Sequence, residues 1–247
     1  MSLAFHDQIK ASMFQKCGTN TRRRLVDIGK VAATVGMRVC RALIGIHAFT
    51  GCDTVSAFAG RGKAKALKLL ISNVDHQDTF LKLGQEWELS QELVDKLEEF
   101  TCLLYAPKFS STRVNELRYH LFCAKKGEIE SHQLPPCKDC FLQHALRANY
   151  QAGIWQRCLQ QDPQVPSLVD HGWKLEKQGS DEQLIIHWMD GQPAPQAILD
   201  LLACTCARKC ELPSCKCIAN GLKCTDMCRL PDCDNQPKQQ DNDEGRI

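Results

Sequence analysis

Apolar residues recur at three- and four-residue spacing from Leu25 to about Leu70, through Val31, Val35, Val39, Leu43 and Ile46, which predicts a long helical region. The same period predicts helices over about 90–105 (QELVDKLEEFTCLLY), 112–123 and 139–160. Pro135-Pro136 separates the last two, because proline lacks the amide donor that a helix interior needs. Period two is weaker. KASMFQKC, ending at Cys17, reads as a short strand, TNTRRR over 19–24 as a polar turn, and LIIHWM over 184–189 as a second strand. Residues 161–182 carry Pro, Gly, Gln and charge and read as a linker. Gln192-Pro193-Ala194-Pro195 then leads into a short helix, QAILDLLA, and the polar tail from 236 to 247 reads as disordered. The expected fold class is therefore mainly α with a minor β contribution.

Composition changes this picture in one place. Net charge is only +2 over 247 residues, so any nucleic-acid surface must come from local clustering. No run of eighteen apolar residues exists, which predicts no membrane span, and the N-terminus has no basic-then-apolar signal pattern. The sixteen cysteines are unevenly spread: eight lie between 17 and 158, and eight between Cys204 and Cys233. Scattered cysteines are most simply buried apolar residues, whereas a dense run in a nuclear or cytosolic protein reads as metal ligands.

The dense run has the pattern C-x-C-x3-C-x4-C-x-C-x6-C-x3-C-x4-C, made by Cys204, Cys206, Cys210, Cys215, Cys217, Cys224, Cys228 and Cys233. Zinc takes four thiolates in a tetrahedron, and C-x-C pairs can place their sulfurs on neighbouring ions. The only apolar residues interleaved with these cysteines besides alanine and proline are Leu212, Ile218, Leu222, Met227 and Leu230, too few to hold thirty residues by burial. Metal binding would then supply the folding energy, on the order of 10 kcal/mol or more per structural zinc. Free or disulfide-paired cysteines are the competing reading.

With its two C-x-C pairs and the spacer IANGLK, this segment resembles the tesmin-type CXC domain of chromatin and transposon-related proteins. The resemblance implies three zinc ions on nine cysteines. Here Leu230 stands where the ninth would be, so two or three ions are expected, with Asp226, Asp232 or water as substitute ligands. Ser214 replaces a tyrosine that reads the DNA minor groove in some members. Arg208, Lys209, Lys216, Lys223 and Arg229 remain as basic residues, and either contact phosphate or balance thiolate charge.

Further upstream, HAFTGCDTVSAFAGRGKAKALKLL places Gly60-Arg61-Gly62 before a basic helix with Lys63, Lys65 and Lys68. Free amides at such a helix start, with lysines beside them, are the chemistry of a backbone-gripping helix–hairpin–helix. A plain packing joint is the alternative. The stretch from Arg22 resembles the C-terminal part of a flap-endonuclease-like PIN domain, with Asp53 of Gly51-Cys52-Asp53 at a metal-ligand position. Two-metal nucleases need several carboxylates. By that resemblance the others lie N-terminal to this stretch, and Asp7 and Asp27 match no ligand position. The chain is thus expected not to cleave DNA, with Mg needed only if a longer form is an active nuclease.

The expected organisation is a truncated PIN-like region over 1–125, a helical extension over 126–160, a linker with short elements over 161–199, a zinc domain over 200–235 and the tail. Cys137-x-x-Cys140 with His132 and His144 reads either as a second zinc site or as an ordinary helix start after the prolines. Trp155, Trp173 and Trp188 are either base-stacking or packing residues, and Arg22-Arg23-Arg24 either a nuclear-import or phosphate patch or a solvated turn. The expected partners are DNA and chromatin proteins, with no membrane. The leading function is a zinc-containing DNA- or chromatin-associated protein of mobile-element origin. A nuclease completed by missing strands and a protein-interaction module with structural zinc are the alternatives.

Overall fold

The computed structural model describes residues 2–9, 11–19, 21–125, 130–178, 181–191, 204–225, 228–230 and 233–236. The chain divides into two compact units, Met1–Asp190 and Gly191–Ile247.

The first unit opens with an antiparallel hairpin, β1 (Phe14–Gly18) and β2 (Arg23–Asp27), with Phe14 opposite Asp27 and Gly18 opposite Arg23. Arg23 and Arg24 thus belong to a strand and not to the expected polar turn. The predicted helical region from Leu25 to Leu70 is three helices: α1 (Ile28–Val35), α2 (Met37–Phe49) and α3 (Lys63–Ser72). Gly36 divides the first two, which meet at 98°. Next come α4 (Val74–Lys82), α5 (Gln91–Tyr105), α6 (Val114–Ala124) and α7 (Lys138–Gln156). A second hairpin, β3 (Trp173–Gln178) with β4 (Asp181–Ile186), closes the unit, so the expected linker over 161–182 contains a strand. The fold is mainly α with two small antiparallel sheets. No single described helix is long and apolar enough to cross a membrane. The helix expected over 196–203 and the tail beyond 236 lie outside the described residues.

Helix starts follow side-chain chemistry. Asp27 accepts from Lys30 N at 3.1 Å, Asn73 from Asp75 N at 2.8 Å and Ser90 from Leu93 N at 3.2 Å, each satisfying an amide that a helix start leaves free. The core centres on the end of α2. Phe49 is fully buried, with the Phe58, Phe80, Phe100 and Phe141 rings at 5.2 to 6.4 Å. Tilted and edge-on pairs of this kind add to the burial of the rings themselves.

Helix α7 is buried nearly all round although much of it is polar. Each polar group has a partner, as burial requires. Asn149 bonds Gly84 N, Glu86 O and Trp87 O at 2.7 to 2.9 Å. Arg147 donates to Gly172 O at 3.0 Å and His187 O at 2.7 Å. The stretch from 138 to 156 therefore completes the core of the first unit; it is not an appendage to it.

His144, also on α7, bonds Phe49 O through Nε2 at 2.8 Å and Ser56 Oγ through Nδ1 at 3.0 Å. Burial pushes its pKa down to about 4, with Arg147 adding to the effect against the Phe49 carbonyl. The folded pKa lies below the unfolded value, so the unfolded chain binds more protons between about pH 6.5 and 4. Stability from this group is present above pH 6.5 and is lost as pH falls towards 4. Urea titrations across that window should show wild type losing stability steeply, with a shallower loss in His144→Gln from a lower starting value. Parallel slopes would exclude His144 as the group responsible.

Candidate metal centre

The described part of the second unit has little regular structure. Its one helix, α8 (Lys216–Ala219), is a single turn. Gly221 follows at φ +68°, a left-handed conformation that glycine adopts without strain, and Leu222 N then returns to Cys217 O at 2.8 Å. The turn brings Cys224 back towards Cys215 and Cys217. The buried residues here are Cys204, Cys215, Cys217, Cys224 and Cys228, with Cys206, Cys210, Cys233 and Ile218 packed against them.

All eight sulfurs converge. Three sets have their sulfurs within 4.8 Å of one another: Cys204, Cys206, Cys210 and Cys215; Cys204, Cys215, Cys217 and Cys224; and Cys210, Cys224 and Cys233. A zinc–sulfur bond of about 2.3 Å in a tetrahedron puts two sulfurs about 3.8 Å apart. The observed separations are 3.7 Å for Cys204–Cys210, 4.0 Å for Cys204–Cys224, 3.9 Å for Cys215–Cys224 and 3.7 Å for Cys217–Cys228. A disulfide needs about 2.05 Å, so these are not bonded pairs. The described cysteines are all free. The donor set and its spacing fit zinc.

Backbone and side-chain donors hold the sulfurs. Cys204 N points to Cys228 Sγ at 3.4 Å, and Arg229 N returns to Cys204 O at 3.0 Å. Asn235 Nδ2 donates to Cys224 Sγ at 3.2 Å, while Cys224 N donates to Asn235 O at 3.1 Å. Asn235 was not singled out in the sequence, where only its nearness to the last cysteine marks it.

Burial and crowding of these thiols favour a bound cation. Burial raises Cys217 to about 11 and pushes Cys210 and Cys224 further up. Cys215 is brought down to about 7, first by the Ile218 backbone amide. At Cys228 burial works upward, but the Cys204 and Thr225 amides and neighbouring thiols bring it down to about 7. So many crowded thiols cannot all ionise by themselves, and a bound divalent cation reverses that balance. Arg208, Lys216, Lys223 and Arg229 are exposed around the cluster, and Lys209 is exposed but pairs with Glu211 at 3.5 Å.

No family model, curated protein or solved structure matches the chain. The likeness to CXC and PIN regions rests on motif residues alone.

The other expected sites are placed differently. Asp53 is exposed in a turn between Cys52 and Val55, beside a 400 Å³ pocket lined by His47, Lys63, Gln151 and Trp155. It joins no group of three metal-ligating side chains among the described residues, nor do Asp7 and Asp27. Asp7 pairs with Arg41, and Asp27 caps α1. Cys137 caps α7 by accepting from Cys140 N at 3.4 Å, His132 pairs with Glu130 at 3.1 Å, and both His144 nitrogens are engaged, so these four do not converge on an ion. Trp155 stacks on His47 at 5.3 Å and Trp173 packs edge-on to Tyr150 at 5.7 Å. Trp188 is exposed, with the Arg147 guanidinium 5.3 Å from its ring centre.

At the glycine turn it is Gly60, with φ +65°, that needs glycine; Gly62 has an ordinary φ of −68° and precedes α3. Arg61 lies over the Tyr105 ring at 4.6 Å. The Lys63 ammonium donates to His47 O and Thr50 Oγ1, both at 3.2 Å, and to Gly51 O. That uses all three of its donors. Lys65 donates to Leu104 O at 2.6 Å, near the end of α5. Both cations therefore sit at helix C-terminal carbonyls, where the helix dipole favours positive charge. Lys68 is exposed. Hydrogen bonds from a charged donor contribute roughly 1.5–3 kcal/mol. Solvent screening at this exposed residue reduces that, so thermal unfolding should show Lys63→Met losing on the order of 1 kcal/mol, with Lys68→Met within about 0.5 kcal/mol of wild type. Equal, small effects would mean the Lys63 bonds do not support the fold.

Proposed function

We propose that the chain is a zinc-stabilised nucleic-acid-binding protein that holds its target through phosphate contacts without cleaving it. The zinc part is supported by seven sulfurs gathered into three sets within 4.8 Å, with Cys228 joining at 3.7 Å from Cys217. The observation that carries the nucleic-acid part is the β1–β2 hairpin. Lys16, Arg22, Arg23 and Arg24 are all exposed on it, beside exposed Phe14 and Leu25. The only carboxylate on its strands is Asp27, which is turned to capping α1. A two-stranded ribbon is narrow enough to enter a DNA major groove, and clustered cations on it match the phosphate charge on either side.

The exposed bases around the thiolates, Arg208, Lys216, Lys223 and Arg229 with Lys209, form a second cationic surface. Two or three zinc ions, chromatin as the setting, a nuclear or cytosolic location and descent from a mobile element belong to the same reading. The glycine-turn lysines contribute less to it than the sequence suggests, because the Lys63 ammonium, although the residue is exposed, is turned onto three acceptors of its own fold. Asp53 is assigned no catalytic role, since a two-metal site needs several carboxylates together.

Salt titration of duplex DNA binding tests this. Arg22→Ala combined with Arg24→Ala should lower the slope of log affinity against log salt by about 1 per lost phosphate contact, nearly independent of DNA sequence. Lys63→Met should leave the slope at its wild-type value. An unchanged slope in the hairpin variant, or no binding by wild type at low salt, would overturn the nucleic-acid reading and leave a zinc-stabilised interaction module.

A further inference from the structure

The three sulfur sets are unequal. The first, Cys204, Cys206, Cys210 and Cys215, has four members, and so has the second, Cys204, Cys215, Cys217 and Cys224, which Cys228 also approaches at 3.7 Å from Cys217. The third, Cys210, Cys224 and Cys233, has three. Among the described residues no further Cys, His, Asp or Glu atom completes it.

The sets also overlap. Cys210 is common to the first and third, Cys224 to the second and third, and Cys204 and Cys215 to the first and second. A sulfur within tetrahedral-edge distance of partners in two sets is placed to bridge two ions. Bridging lets eight cysteines serve three ions, but it cannot fill the third position set, whose two shared members are already counted in it. Sharing both Cys204 and Cys215 between the first two ions adds nothing there either.

From this geometry we infer that the cluster holds three zinc ions, and that the one on Cys210, Cys224 and Cys233 keeps an open fourth position occupied by exchangeable water. This inference rests on the zinc reading above. Zinc with three protein ligands and a solvent position accepts outside donors, whereas four-thiolate zinc is closed. The ligand class that suits this soft, sulfur-rich ion is a thiolate. A small thiol would displace the water, bind through sulfur and release its proton to the buffer. Cys210 and Cys233 of this set are only half-buried, so solvent reaches this corner, where Asn235 donates to Cys224 Sγ.

Native mass spectrometry and cobalt substitution of the full chain test it. Wild type should carry three zinc ions. A chromophoric chelator should remove one at least about tenfold faster than the other two, the size of effect expected when a site lacks part of its ligand shell. In the cobalt form, ethanethiol should raise the sulfur-to-metal charge-transfer absorption and saturate at one equivalent per chain. Cys233→Ser should lose the fast ion alone. The cobalt titration is done on wild type, so it stands even where that variant misfolds. Three ions leaving in one phase, or two ions with no response to thiol, would overturn the open site while leaving structural zinc intact. A chain without bound zinc would overturn both.

Discussion

Eight sulfur atoms share one small volume between Cys204 and Cys233, and the described structure of the second unit follows from that. Among the described residues the one apolar non-cysteine side chain packed with them is Ile218, while five of the eight cysteines are buried. A protein segment whose core is sulfur gains little from the hydrophobic effect, because the buried area is small. Uncompensated, burial raises most of those thiols and leaves Cys210, Cys217 and Cys224 protonated. Separations near the edge of a zinc tetrahedron, with the Cys204 amide and Asn235 donating to sulfur, are the arrangement a cation would hold together. Helix α8 and the Gly221 turn are short because they only have to return the chain to the cluster.

The first unit solves a different problem with the same rule that buried polar groups must be partnered. Its hydrophobic centre is the ring cluster about Phe49, yet the helix that seals it, α7, carries Gln143, His144, Arg147, Asn149 and Gln151 inward. Asn149 and Arg147 take up the carbonyls and amides of irregular segments around residues 84–87, 172 and 187, while His144 and Gln151 bond Phe49 O, Ser56 and Thr54. Glu98, 1% exposed, does similar work for α6, accepting from Val114 N at 3.0 Å and pairing with Arg113 and Lys138. Lys63 and Lys65 belong in this scheme, as cations placed on the carbonyl ends of α2 and α5.

The sequence showed what short-range pattern can show. The spacing of Cys204 through Cys233 identified the cluster, and period 3.6 found α5, α6 and α7 to within a few residues. Between Leu25 and Leu70 it marked the start of α3 through Gly60-Arg61-Gly62 but ran α1 and α2 together, because the break at Gly36 interrupts a run that stays apolar. It missed α4, whose HQDTF stretch is polar although His76, Gln77 and Thr79 are buried, and it placed Arg23 and Arg24 in a turn because strand pairing with β1 is a non-local fact. Lys63 and Lys65 after Gly62 are exposed, as they looked, but the sequence could not show that their ammonium groups are engaged, because the carbonyls they meet lie 12 to 39 residues away. Ser56 and His144, 88 residues apart, meet only through the fold.

The claim on which the account turns is that metal, and not apolar burial, folds residues 204–236. Amide-resolved NMR of the full chain, recorded with zinc and again after complete removal of zinc by a chelator under reducing conditions, tests it most directly. The account predicts that signals from Cys204 to Gln236 collapse to random-coil positions on zinc removal and return when zinc is restored, while those of α2, α5 and α7 stay dispersed. Signals from the cysteine segment that remain dispersed without metal would contradict it.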